Sequence, residues 1–119
     1  MDKDVKKLWI DALRSGKYQQ GKFALNYQNR FCCLGVLCDL YDQQRCGDTM
    51  WYHHDNGIKG IGGSLHHLPV PVREWAEIES YDPPVIYDGR TMVISDLNDH
   101  ERLSFEDLAN IIEQQGDQF

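Results

Sequence analysis

Basic side chains are scarce beyond the first thirty residues. Residues 31–119 carry five Lys and Arg against sixteen Asp and Glu, whereas residues 1–30 carry seven against three, within a total of −7. Duplex nucleic acid draws most of its affinity from basic groups spread along a footprint, so this distribution excludes it as a partner. No stretch approaches the roughly 20 apolar residues needed to cross a bilayer, and no membrane role is expected. The chain begins Met-Asp-Lys-Asp, without the basic-then-apolar order of a secretion signal, which points to a cytosolic setting. Also missing are a Gly-x-Ser-x-Gly elbow and a His-Glu-x-x-His pair, the local signatures of serine hydrolases and zinc proteases. Cysteines stand at 32, 33, 38 and 46 without a Cys-x2-Cys knuckle, which favours buried thiols over zinc. Cys46 with the pairs His53-His54 and His66-His67 is the alternative ligand set. The candidate nucleophiles Cys32 and Cys33 lie in an apolar run that raises a thiol's pKa, so no catalytic residue is assigned and a binding role is favoured over an enzyme.

What is present suits one domain over residues 1–119, with 41% hydrophobic residues and ordinary aromatic content. Val5, Leu8, Trp9, Ala12 and Leu13 share one face of a helix over 2–14, which Ser15-Gly16 ends. Residues 24–31 read as a small hairpin turning at Gln28-Asn29. Phe31 then starts a strand that passes into a helix over 34–42, where Gly35 lets another backbone approach. Residues 43–68 have the composition of a long glycine-rich loop, with a turn at Asn56-Gly57 and a short strand over Met50-Trp51-Tyr52. Pro71 opens a helix to about Ile78 that buries Val72, Trp75 and Ala76. Asp88-Gly89-Arg90 turns a second hairpin, and Ser104 caps a final helix. The fold class is α+β: three to four helices on a small, mostly antiparallel sheet.

Gly16-Lys17-Tyr18-Gln19-Gln20-Gly21-Lys22 has the letters of a phosphate loop, but Phe23 stands where Ser or Thr would hold magnesium, and a helix end precedes it. A weaker feature survives, an adaptable loop in which Arg14, Lys17 and Lys22 supply cations and Gln19 and Gln20 supply amides. Trp51, Tyr52, His53 and His54 offer rings for stacking on a base, against the simpler reading that Trp51 fills the core. Asp96-Leu97-Asn98-Asp99 reads first as a turn and second as ligands to polar groups.

Trp9-x2-Ala12-Leu13-Arg14-Ser15-Gly16-x-Tyr18-x-Gln20-Gly21, the run Phe31-Cys32-Cys33-Leu34-Gly35-Val36-Leu37-Cys38, Leu68-Pro69 with Val72-x2-Trp75, and Leu97-Asn98-Asp99 with Ser104-Phe105 resemble a family of small uncharacterised proteins of tailed bacteriophages and bacterial genomes. The resemblance spans nearly the whole chain and implies a phage accessory protein acting in the bacterial cytoplasm. With the gathered positive charge, it suggests a homo-oligomeric host-defence antagonist that sequesters a nucleotide-derived signal and needs no cofactor or metal. In that expectation Arg14, Lys17 and Lys22 meet phosphates, Tyr18, Trp51 or Tyr52 stacks, and Gln20 and Asn98 read polar edges. The alternatives are a host-protein inhibitor acting through its acidic surface and a small nucleotide-modifying enzyme.

Overall fold

The computed structural model describes residues 1–101 and 103–116. Its first helix, α1 (Lys3–Arg14), buries Val5, Trp9 and Leu13 of the expected stripe, with Ile10 buried beside them and Leu8 exposed, and the Asp2 carboxylate accepts the Val5 N–H at its start. Strands β1 (Gln19–Gln20), β2 (Asn26–Tyr27) and β3 (Arg30–Phe31) lead into α2 (Cys33–Gln44), then β4 (Tyr52–Asp55) and β5 (Ile58–Gly60). They are followed by α3 (Val70–Ala76), the hairpin β6 (Pro84–Tyr87) and β7 (Arg90–Val93), α4 (Ile94–Asp99) and α5 (Phe105–Gln114).

The class is α+β, as the sequence indicates, and the details correct it in three places. Among the described residues five helices form where about three to four are expected, because Ile94–Asp99 is helical and not a turn. Its polar letters conceal a buried face of Ile94, Leu97 and Asn98, and its first turn is held from a distant loop by Asp82, which accepts the Ser95 N–H. The stretch read as a loop holds the β4–β5 hairpin, with its first strand at Tyr52–Asp55 and not Met50–Tyr52. Strands form two sheets: a five-stranded one in the order β1-β3-β2-β5-β4, antiparallel except for β1 with β3, and the separate β6–β7 pair. Trp75 is half-buried, edge-on to Tyr41, while its neighbours Val72 and Ala76 are fully covered.

Both hairpin turns read from the sequence are present, and their backbones explain why. Gln28 and Asn29 have φ of 52° and 64°, and Asp88 and Gly89 have 52° and 74°, the paired left-handed residues of a two-residue turn that matches strand twist. The core gathers Trp9 and Leu13 of α1, Leu34, Val36 and Leu37 of α2, and Leu108 and Ile112 of α5. Trp9 keeps its indole N–H satisfied inside that core by donating to the Cys33 carbonyl at 2.9 Å. Gly35 lies where α2 crosses the Leu25 backbone; a Cβ there would stand 1.8 Å from the Leu25 carbonyl oxygen.

Candidate functional site

Strand pairing builds one surface of a cavity. His53 lies opposite Lys59, Lys59 opposite Asn26, and Asn26 opposite Phe31, so one registered row crosses β4, β5, β2 and β3. Residues paired in this way project from the same face of a sheet. All four line a cavity of about 250 Å³, bordered further by Asn29, Asp39, Thr49, Trp51 and Tyr52.

Asp39 of α2 orders the rings around it. Its Oδ1 accepts the Trp51 indole N–H at 2.9 Å, and its Oδ2 accepts the Tyr18 hydroxyl at 2.7 Å and the Gln43 amide at 2.7 Å. Phe31 packs edge-on to both partners, with centroid separations of 5.1 Å to Tyr18 and 6.0 Å to Trp51. Burial, and then the bond to Asp39, push the Tyr18 hydroxyl well above its ordinary pKa, so it remains a donor. One turn along α2, Asp42 accepts the Met50 N–H at 2.7 Å and the Thr49 hydroxyl at 2.6 Å. The two carboxylates thus hold the chain entering β4 together with the Trp51 indole.

The registered row supplies mainly donors. Asn26 is 2% exposed; its Oδ1 accepts the Asn29 N–H at 3.0 Å, which leaves Nδ2 without a partner among the described residues. Lys59 gives one hydrogen bond, to Asn29 Oδ1 at 3.1 Å. The arrangement is a cavity with an aromatic wall and a donor-rich floor.

The structure distributes the sequence-predicted site residues among three places. Tyr18 and Trp51 converge on Asp39. Tyr52 borders the cavity with its hydroxyl over Gly60, where an added Cβ would approach it to 2.5 Å. Arg14 is engaged elsewhere: it bonds Asn110 of α5 at 2.6 Å and pairs with Glu113 at 3.3 Å. The Glu113 hydrogen bond raises the guanidinium's pKa, and the guanidinium in turn lowers that of Glu113. Lys17 and Lys22 are exposed and do not line the cavity.

Asn98 has spent its polar atoms inside the molecule, and Gln20 has spent its amide N–H groups there. Asn98, fully buried, accepts the Gln20 amide at 3.0 Å and the Cys33 N–H at 3.2 Å, and donates to the Gly21 carbonyl at 2.9 Å and to Asp99 at 2.8 Å. It therefore caps α2 and ties the loop after β1 to α4, instead of reading a ligand. The three expected cations do not meet the rings; the ammonium beside them belongs to Lys59.

Lys59, His53, Asn26 and Asp39 are the site residues that sequence reasoning misses. A two-residue turn at Asn56-Gly57 would ordinarily place His54 opposite Lys59. A bulge between His53 and Asp55 shifts the register and brings His53 there instead. Nothing in the letters announces that bulge.

The thiols follow their surroundings. Cys32, Cys33 and Cys38 are buried and Cys46 is exposed. Burial pushes the Cys32 thiol up to about 12 and raises those of Cys33 and Cys38. No cluster of three or more His, Cys, Asp or Glu among the described residues is arranged to hold a metal ion. An aromatic disulfide reagent at pH 8 is expected to titrate one thiol quickly in the native protein and all four after unfolding, read by released thiolate absorbance. Fast reaction of three or four thiols in the native state would contradict this burial.

Fold and cavity define a small α+β domain with a cavity lined by aromatic and polar side chains. The chain belongs to a domain family of unknown function, DUF8296, whose family model matches residues 1–116. No curated protein and no solved structure matches it.

Proposed function

We propose that this protein binds and sequesters a small anionic, nucleotide-derived molecule in the Trp51 cavity, as a phage accessory protein acting in the bacterial cytoplasm. The observation that carries the reading is the Trp51 indole, held by Asp39 at 2.9 Å against Phe31 beside a row that contains Lys59 and Asn26. A rigid indole presents a stacking face at little entropic cost, and base-on-aromatic stacking is worth about 1–3 kcal/mol. Binding without turnover is supported by the same geometry, since the Asp39 oxygens are occupied and three thiols are buried. At about 250 Å³ the cavity lies below the roughly 300 Å³ at which drug-sized sites begin. It therefore takes the base and one adjoining group of a nucleotide, and a larger signal completes its burial against a second copy of the chain.

The test is a thermal shift series with cyclic mononucleotides, cyclic dinucleotides and ADP-ribose, followed by heat release and chromatography of the bound compound. A ligand present at one hundred times its Kd stabilises by about 2.7 kcal/mol, which for a domain of this size raises Tm on the order of 10 °C. Trp51→Ala is expected to abolish the shift, and the released ligand to be chemically intact. No response to any member of the series sinks the proposal, and an altered product replaces sequestration with catalysis.

A further inference from the structure

Resting on that reading, we infer that Asn26 and Lys59 form an oxyanion seat at the floor of the cavity, so that the ligand enters with a phosphoryl group inward and its planar ring against Trp51. Asn26 is the starting point. A side chain 2% exposed keeps little contact with water, and its Nδ2, which carries two donor hydrogens, is not among the enclosed atoms without a partner, so the little surface Asn26 retains includes that nitrogen. Its oxygen is committed to the Asn29 N–H, which sets the orientation of the amide and leaves Nδ2 as the free end. The nitrogen belongs to a residue that lines the cavity and donates to no described residue.

Lys59 stands directly opposite Asn26 in the antiparallel pair, which places the two Cβ atoms about 5 Å apart on one face. His53 follows on the next strand. Two of the nearby acceptors are engaged: Asn29 Oδ1 takes the Lys59 ammonium, and Asp39 takes Trp51, Tyr18 and Gln43. The cavity thus has donors to spare at one end and filled acceptors at the other, and the complementary ligand brings oxygens.

The two charges on its lining are separated by the same row. Phe31 sits at the end of the row where Tyr18 and Trp51 reach Asp39, and Lys59 is two strands further along, about 10 Å at ordinary strand spacing. An oxyanion is drawn to the Lys59 end, where the ammonium and the amide donate to it together, while Asp39 is engaged by the rings at the Phe31 end. Charge-assisted bonds of this kind are the stronger class. The chemistry recognised is a tetrahedral phosphoryl group carried by a nucleoside, as in a nucleoside 5′-monophosphate, with inorganic phosphate as the source to be distinguished.

Isothermal titration of the full chain with AMP, adenosine and inorganic phosphate tests the seat. AMP is expected to bind at least about tenfold more tightly than adenosine, with phosphate alone weaker than either. Asn26→Asp keeps an acceptor for the Asn29 N–H and replaces the free donor with a repelling oxygen, so AMP affinity falls about tenfold or more and adenosine affinity is unchanged. Lys59→Gln, outside that turn, is expected to lower AMP affinity by a similar factor and covers the case in which the first variant misfolds. Equal affinities for AMP and adenosine, or AMP binding untouched in both variants, overturn the seat and leave the stacking site standing. Phosphate binding as tightly as AMP overturns the nucleoside part of the assignment. Absence of binding by both AMP and adenosine overturns the seat and removes support from the nucleotide reading beneath it.

Discussion

Gly35→Ala is expected to cost about 3 kcal/mol or more of folding stability, measured as a fall in the urea midpoint. Helix propensity alone gives the opposite sign, since alanine in a helix interior is favoured over glycine by about 1 kcal/mol. The contact decides: the new Cβ would fall 1.8 Å from the Leu25 carbonyl oxygen and 2.7 Å from its carbon. Leu25 has little freedom to retreat, because it is fully buried and its N–H donates to the Leu65 carbonyl at 2.8 Å. Relief requires α2 to slide against the rest of the core, and inserting atoms into a packed interior costs 1–3 kcal/mol or more even without a backbone collision. Gly63→Ala is the control for backbone strain, with φ of +82° but nothing within 4 Å of the added carbon, and its cost is about 1–2 kcal/mol. A midpoint for Gly35→Ala equal to or above the parent would refute the close approach.

The second large effect is at Asn98. Truncation to alanine leaves the Cys33 N–H at the start of α2 and the Gly21 carbonyl without their partners, and each buried group abandoned in this way costs about 1–3 kcal/mol. A total of about 3–4 kcal/mol is expected for Asn98→Ala. Gln20→Ala removes a half-buried partner of the same amide and costs about 1 kcal/mol. Because the two side chains share one network, the double variant is expected to lose less than the sum of the singles. Strict additivity in a urea series would break the network apart.

Local signals made much of the fold legible. The stripe on α1, the left-handed pairs at Gln28-Asn29 and Asp88-Gly89, and Ser104, whose hydroxyl accepts the Asp107 N–H while Asp107 accepts the Ser104 N–H, each act within a few residues and read directly. The need for a glycine at 35 was legible too, although its partner Leu25 was not. What escaped depends on distant contacts. Asp96, Asn98 and Asp99 are turn-formers by composition, yet α4 forms because Leu97 and Asn98 are buried and Asp82 holds its first turn. Charge counting chose Arg14, Lys17 and Lys22 because they are close in sequence, whereas α5 supplies the carboxylate that engages Arg14. Trp51 and Tyr18 were found as rings, but Asp39, which brings them together, looked like one acidic residue among many.

The hairpin turns have a consequence beyond shape. One surface of the cavity is a single file of side chains drawn from four strands, and alternation along each strand puts Tyr27, Arg30 and Ile58 in the other file. Adding or deleting one residue at Gln28-Asn29 would therefore turn Phe31 out of the file and bring Arg30 into it, and the same change at Asn56-Gly57 would exchange Lys59 for Ile58. For relatives of this chain, the length of those two connections is thus a more direct guide to shared ligand chemistry than overall likeness, because loop length acts there as the combination of the lock.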